Sequence, residues 1–357
     1  MVLLLPALNP RTPNPDDRVN LSSYLNNMLS SLGRWLRLLL SFKKGWQMAG
    51  RGLAIIIIAA FIFQGKDSIT AVNSSVPQEA QKSSSPTRVF SSLIEIPLGP
   101  ERLTEVAAPE TIAAKAALVT DLATGEVMLE KEAKLPLPPA STTKIITALI
   151  ALENYSLGEV VTVNPVCGSL TKDQSQMGLV AEEKITVENL LYGLLVQSAS
   201  DAACALAQAF PGGEVEFVAA MNSKAKNLGM NQTTFSNPSG NDTDESAPHF
   251  SSAWDLTIAA KEALKSATFR QIVGTKEINL SSFDQKYWHL VRNTNELLFT
   301  FPGTVGVKTG YTEKALGCLV LDYALKNHEV LVVVLGSQDR FGEARSLAEW
   351  AFKAYKW

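Results

Sequence analysis

Three short segments in a fixed order carry the side chains best suited to acyl-transfer chemistry: Ser141-Thr142-Thr143-Lys144, Ser198-Ala199-Ser200 and Lys308-Thr309-Gly310. A serine hydroxyl is a weak nucleophile at neutral pH and needs a base beside it. A lysine whose pKa is lowered by burial or by a nearby cation can be that base. Ser141 and Lys144 stand three residues apart, which on a helix puts them on one face, one turn from each other. A lysine and a hydroxyl side by side at Lys308-Thr309 suit a substrate carboxylate, the first as a point charge and the second as a hydrogen-bond donor.

The flanking residues say which elements hold these groups. Pro138, Pro139 and Ala140 end an extended stretch, and Ser141 opens the apolar run Ile145, Ile146, Ala148, Leu149, Ile150 and Leu152, which predicts a largely buried helix. Ser141 therefore lies at a helix N-terminus, where free amides and the helix dipole favour the oxyanion formed when a hydroxyl attacks a carbonyl. Val305 and Val307 before the Lys-Thr-Gly segment and the run Gly317 to Leu321 after it predict a strand at a cleft edge, with Gly310 permitting close backbone approach. Ser-x-x-Lys also occurs at Ser41, Ser169 and Ser223. Only Ser141 begins a buried helix and has the other two segments downstream.

The chain resembles the low-molecular-mass penicillin-binding proteins that are serine-type D-alanyl-D-alanine carboxypeptidases. The resemblance runs from about residue 109 to the C-terminus. It rests on Leu118-Val119-Thr120-Asp121, Thr124-Gly125, Pro139 to Lys144, Leu194 to Ser198, Met221-Asn222, Leu228-Gly229-Met230, Asn237-Pro238-Ser239-Gly240, Asn293-Thr294-Asn295 and Gly306 to Thr312. It implies that Ser141 attacks the carbonyl between the last two D-alanines of a peptidoglycan stem peptide, with Lys144 as base and Ser198 relaying a proton to the leaving amine. It further implies that Lys308 and Thr309 hold the terminal carboxylate, that Gly310 lines the site, and that the backbone N–H groups of Ser141 and Tyr311 bind the oxyanion. β-Lactam antibiotics are then expected to acylate Ser141.

One position departs from the family pattern. The second motif usually reads Ser-x-Asn, and here Ser200 stands where the asparagine is expected. The resemblance gives that amide the task of holding the substrate and the catalytic lysine, and a hydroxyl, shorter and with one donor, can keep part of it, through a water if need be. Ser239-Gly240-Asn241 matches Ser-x-Asn literally but falls in the Asn-Pro-Ser-Gly segment and is read as loop. The departure leaves open a weakly active or inactive homologue that binds muropeptides or β-lactams; D,D-endopeptidase activity on cross-links is also open. A class A β-lactamase is disfavoured, because no Glu-x-x-x-Asn pattern follows Ser198 at a suitable place.

Composition agrees with this reading without producing it. The 357 residues are 46% hydrophobic and 19% charged, enough for one large core with appendages. A net charge of −3 spread along the chain gives no footprint for nucleic acid. Cys204 and Cys318 are expected as buried hydrophobes, and Cys167, in a loop, is free to pair, but three cysteines at irregular spacing form no disulfide framework. His249, His289 and His328 lack metal-ligand spacing, so no metal and no cofactor is expected.

The N-terminal third is organised differently. Residues 1–50 read as a cytoplasmic tail in which Met28 to Trp46 alternate leucines with Arg34, Arg37, Lys43 and Lys44, as an interfacial amphipathic helix does. Residues 51–65 hold the uncharged apolar run Gly52 to Phe63, short for a full span and close to a signal-peptide core. The upstream arginines put the N-terminus in the cytoplasm, and an uncleaved membrane anchor is favoured over a cleaved signal. Residues 66–108, rich in Ser, Pro, Thr and Gln, read as a disordered tether carrying residues 109–357, a catalytic domain outside the cytoplasm.

Within that domain, hairpins are expected at 117–130 and 318–335, with helices at 142–153, 187–196, 201–209, 214–228, 253–265 and 340–355. Strands at both ends with helices between predict an α+β domain, an antiparallel sheet covered by helices. The resemblance implies the β-lactamase/transpeptidase-like fold.

Overall fold

The computed structural model describes residues 99–170, 174–242 and 247–357. The amphipathic helix, the apolar segment and the tether up to residue 98 lie outside the described residues. Among the described residues, no helix is long and apolar enough to cross a membrane.

A five-stranded antiparallel sheet organises the domain. Its strands are β2 (Ala116–Asp121), β3 (Val127–Lys131), β8 (Thr304–Thr312), β9 (Leu316–Leu325) and β10 (His328–Ser337), in the order β3-β2-β10-β9-β8. The two expected hairpins form, and the Lys-Thr-Gly strand β8 is an edge of the sheet, as a strand bordering a cleft must be. Side chains alternate between two cores: Leu331, Val333 and Leu335 face one, Val330, Val332 and Val334 the other. Both faces are covered, so β9 and β10 read as continuous apolar runs instead of alternating patterns.

One face is covered by α8 (Arg340–Ala354) through Leu347, Ala348 and Ala351. The other packs against the main helical layer: α1 (Lys144–Asn154), α2 (Val187–Val196), α3 (Ser200–Ala209), α4 (Gly213–Asn227), α5 (Ala253–Ala263) and α6 (Ala267–Val273). α2 has the bounds expected from its apolar periodicity, and its N-cap Thr186 accepts from the Asn189 N–H as Ser-type caps do. α6 and the small hairpin β6 (Glu277–Ser281) and β7 (Trp288–Arg292) were not foreseen: each is short and carries little periodic signal.

The folded body also takes in residues assigned to the tether. β1 (Glu101–Arg102) pairs with β11 (Tyr355–Lys356), and the Trp350 indole N–H donates to the Ala107 carbonyl at 2.8 Å. Arg102 stacks over Trp350, 4.9 Å from its ring centre, so the C-terminal aromatics draw in a segment whose own composition is that of a linker.

Candidate active site

Ser141 sits in a 3-10 turn, Ala140–Thr143, that leads directly into α1. The turn is wound tightly: Ala140 has φ +47°, and the Thr142 hydroxyl donates to the Pro139 carbonyl at 2.6 Å. Strand β8 passes against it so closely that a Cβ on Gly310 would lie 3.0 Å from the Ser141 amide nitrogen. Glycine at that place is what brings the Lys-Thr-Gly backbone alongside the nucleophile.

Lys144 is fully buried, and its Nζ lies 3.0 Å from Ser141 Oγ. It also donates to the Ser239 carbonyl at 2.6 Å and reaches Ser200 Oγ at 3.5 Å. Burial lowers its pKa to about 7, against the opposing pull of Asp201, so a large share of the amine is neutral near neutral pH.

The second motif joins α2 to α3. Ser198 is held at φ +63°, an uncommon conformation for a residue with a Cβ and one that clusters at functional sites. Ser200 opens α3; its N–H donates to the Ser175 carbonyl at 2.7 Å. Asp201 beside it accepts from the backbone N–H groups of Met177, Gly178 and Leu179, which fixes the loop over the cleft.

Ser141, Ser198, Ser200, Thr309, Gly310 and Tyr311 all line one cleft of about 770 Å³, together with Gln174, Asn241 and Thr294. Lys144 and Lys308 are buried behind its wall. Lys308 donates to the Thr309 carbonyl at 2.9 Å, and burial, then Lys144, then Arg340, hold its pKa well below the usual lysine range. Thr309 Oγ1 lies 2.6 Å from Thr294 Oγ1, so the Asn-Thr-Asn segment delivers a second hydroxyl beside the first. Its asparagines are structural: Asn293 accepts from the Asn295 N–H, and Asn295 reaches the Gly306 carbonyl.

Three features escaped the sequence reading. Ser239, read as a loop residue, is one, but its carbonyl is a direct partner of Lys144. Asn237 Oδ1 accepts from the N–H groups of Ser239 and Gly240, and a Cβ on Gly240 would collide with the Ala140 carbonyl oxygen, so the Asn-Pro-Ser-Gly pattern encodes a loop pressed against the nucleophile turn. His249 ties the same parts together: the Ser236 N–H donates to Nδ1, which leaves Nε2 to donate to Thr143 Oγ1 at 2.9 Å. Burial pushes the His249 pKa down to about 4, so the ring is neutral. The third is a correction: Cys204, expected as a lone buried hydrophobe, forms a disulfide with Cys167. The bond joins the loop before Gln174 to the helix that starts at Ser200. Of the other Ser-x-x-Lys matches, Ser223 and Lys226 are solvent-exposed on α4.

Fold and site together define an α+β protein with a serine–lysine pair at a helix start, facing a lysine-bearing edge strand across a cleft. A sequence model of the D-alanyl-D-alanine carboxypeptidase family matches residues 103–339, and the chain belongs to that family. It is 38% identical over 250 residues to the D-alanyl-D-alanine carboxypeptidase DacF of Bacillus subtilis (strain 168), covering 68% of this chain and 63% of that protein's length. It is 30% identical to the D-alanyl-D-alanine endopeptidase of Escherichia coli (strain K12), covering 72% of this chain and 85% of that one. The crystal structure of the Streptomyces K15 DD-transpeptidase superposes with a TM-score of 0.64 at 32% identity, over 69% of this chain and all of that one.

Proposed function

We propose that the protein is a serine-type D-alanyl-D-alanine carboxypeptidase that removes the terminal D-alanine from peptidoglycan stem pentapeptides. Ser141 Oγ attacks the carbonyl carbon between the two D-alanines and passes its proton to the neutral Lys144 amine. The oxyanion is held by the N–H groups of Ser141 and Tyr311, which belong to the two segments that Gly310 allows to approach closely. The C–N bond breaks, Ser198 relays a proton to the departing amine, and water hydrolyses the acyl-enzyme. Thr309, with Thr294 beside it, binds the terminal carboxylate by hydroxyl donation, and the buried Lys308 holds the Thr309 carbonyl behind it. β-Lactams, which present a similar carboxylate and acyl carbon, acylate Ser141.

The observation that carries this reading is the 3.0 Å contact between Ser141 Oγ and a buried Lys144 whose pKa is lowered to about 7. Family membership and the D-alanyl-D-alanine carboxypeptidase names of its relatives support it. The Cys167–Cys204 disulfide supports a catalytic domain outside the cytoplasm, where such bonds persist, and the apolar segment at 51–65 supplies its membrane tether.

The test is D-alanine release from a D-Ala-D-Ala-terminated pentapeptide by the full chain and by Ser141→Ala, with labelled penicillin as a second readout. Release and labelling that vanish together in the variant are the expected result; release that survives it sinks the mechanism. A second reading, a muropeptide-binding homologue of low turnover, is favoured by the 3.5 Å Lys144–Ser200 distance, long for a hydrogen bond. Penicillin labelling without D-alanine release would select it.

A further inference from the structure

A buried histidine has no water at its ring nitrogens, so each of them must find a partner inside the protein. His289 is such a residue. β7 alternates, with Trp288, Leu290 and Arg292 outside and His289 and Val291 inside, and His289 is only 5% exposed. Its Nδ1 lies 3.1 Å from the Met177 carbonyl oxygen, and its Nε2 lies 2.7 Å from Glu183 Oε1. Both partners are acceptors, and a neutral imidazole has only one N–H. The two bonds form together when the ring is an imidazolium facing the Glu183 carboxylate. The hydrogen bond from Glu183 holds the ring's pKa above its ordinary value against the effect of burial, and the Glu183 charge, the Met177 carbonyl and the Asp201 charge add to it. Across the hairpin the register partner of His289 is Leu280, which is buried and apolar. α2 also packs on β7, but Glu188 there is exposed and the Tyr192 hydroxyl accepts from Gln271.

Those two bonds pin the segment 175–183 on one side. On its other side the second motif holds it: Asp201 accepts from the N–H groups of Met177, Gly178 and Leu179, and the Ser200 N–H donates to the Ser175 carbonyl at 2.7 Å. Met177 is bonded in both directions, its carbonyl to His289 and its N–H to Asp201 at 3.1 Å. Glu183 closes the segment on itself, since its second oxygen accepts from the Val180 N–H at 3.0 Å. Ser175 lines the cleft, and Ser200 stands 3.5 Å from the Lys144 amine. A chain of bonds therefore runs from the imidazolium through Met177 to Asp201, the neighbour of the residue that meets the catalytic lysine. Acyl transfer needs its groups held to a fraction of an ångström, which a segment tied on one side only does not provide.

Resting on the acyl-transfer reading above, we propose that His289 and Glu183 are positioning residues: the charged ring clamps residues 175–183 against Asp201 and so holds Ser175 and Ser200 in place beside Lys144. When the ring loses its proton, one of its two bonds goes, an acceptor is left buried without its donor, and the segment loosens. The clamp is closed at low pH and opens as pH rises through the folded-state value of His289, which lies above the ordinary ~6.5. Lys144 makes the opposite demand, because its amine is neutral above about 7. Turnover is then confined to a window with Lys144 at its acid edge and His289 at its alkaline edge. The pair's contribution to stability has the same sign as the clamp: it is complete below ~6.5 and is lost as pH rises through the raised value.

The experiment follows kcat and KM for D-alanine release from a pentapeptide by the full chain and by His289→Gln, between about pH 6 and about pH 10. The wild type is expected to show an alkaline limb that the variant lacks. At the wild-type optimum the variant's kcat should be roughly tenfold lower with KM within about twofold, as for a displaced catalytic group. A limb that persists in the variant belongs to another group, Lys308 for one, and overturns the proposal; so does a wild-type profile with no such limb. Should His289→Gln fail to fold, His289→Gln/Glu183→Gln, which replaces the charged pair by two amides, is judged by the same limb. Nuclear magnetic resonance of histidine-labelled Ser141→Ala separates this proposal from the catalytic reading, with the His289 signals assigned by their loss in Ser141→Ala/His289→Gln. A doubly protonated ring that titrates above ~6.5, together with loss of amide-exchange protection at Met177, Gly178 and Leu179, supports the clamp even if no turnover exists. A ring that titrates at or below that value, or protection that ignores its titration, refutes it.

Discussion

Two buried titratable groups, Lys144 behind the cleft and Asp322 on β9, are driven toward their neutral forms by the same cause, and only one of them is placed to do chemistry. Burial lowers the Lys144 pKa to about 7. Burial, with the neighbouring Glu329, raises that of Asp322 well above the usual carboxylate range. Lys144 has a nucleophile at 3.0 Å and a carbonyl at 2.6 Å, and the cleft opens in front of it. The Asp322 carboxyl faces Glu329 and Arg270, whose Nη1 is 3.5 Å away, and lies outside the cleft that holds Ser141. A shifted pKa therefore marks desolvation; what makes a site of it is a reacting atom within reach.

The sharpest way to break that comparison is to remove each group in turn. Lys144→Met is expected to lower kcat/KM for D-alanine release roughly a thousandfold, the usual loss when a general base is removed. Asp322→Asn should leave kcat/KM within about twofold, as a side chain outside the machinery does. A large loss of activity in a folded Asp322→Asn protein would show that the two regions are coupled.

The pH dependences should run in opposite directions. Turnover needs the neutral Lys144 amine, so kcat/KM is expected to fall about tenfold per unit as pH drops below about 7, and Asp322→Asn should not move that limb. For stability, the unfolded lysine titrates near ~10.4, so between about pH 7 and that value the unfolded chain binds more protons and the Lys144 contribution rises with pH. Asp322 has its folded pKa above the unfolded value of ~3.9, so from there upward the native state binds more protons and its contribution falls with pH. Denaturant unfolding of Asp322→Asn across that range should show the falling component gone; an unaltered profile would mean that the carboxyl is ionised in the native protein.

Smaller effects should appear at the cleft's rim. The Cys167–Cys204 bond closes a loop of sequence separation 37, worth about 3–4 kcal/mol in the chain-entropy account. Cys167→Ser/Cys204→Ser should lose stability of that order in urea melts, with a modest rise in KM as Gln174 and Ser175 loosen. The smallest change is expected from Ser200→Asn. An amide that reaches Lys144 and the substrate together should raise kcat severalfold, and an unchanged rate would show that the present serine is already compensated.

Much of this molecule was legible before its fold. The helix starting beside Ser141, the α2 bounds and both sheet hairpins follow from apolar periodicity and turn residues, which are local properties. The spacing of Ser141 and Lys144 already put them one turn apart. Less was legible where partners come from far along the chain. Nothing near Cys204 announces Cys167, so a cysteine in an apolar helix reads as a hydrophobe. Ser239 looked like an idle loop residue because its contribution is a carbonyl, which every residue type has, delivered 95 positions from Lys144.

By itself, the sequence determined which residues carry the chemistry, their order, and the helix and strand on which they sit, because hydrophobic pattern and motif spacing act over a few residues. Tertiary structure alone decided that Lys144 is dry and within 3.0 Å of its serine, that Thr294 stands against Thr309, and that Cys167 meets Cys204. Those are outcomes of desolvation and close packing between distant segments, and no local pattern sets how much water a neighbour will exclude.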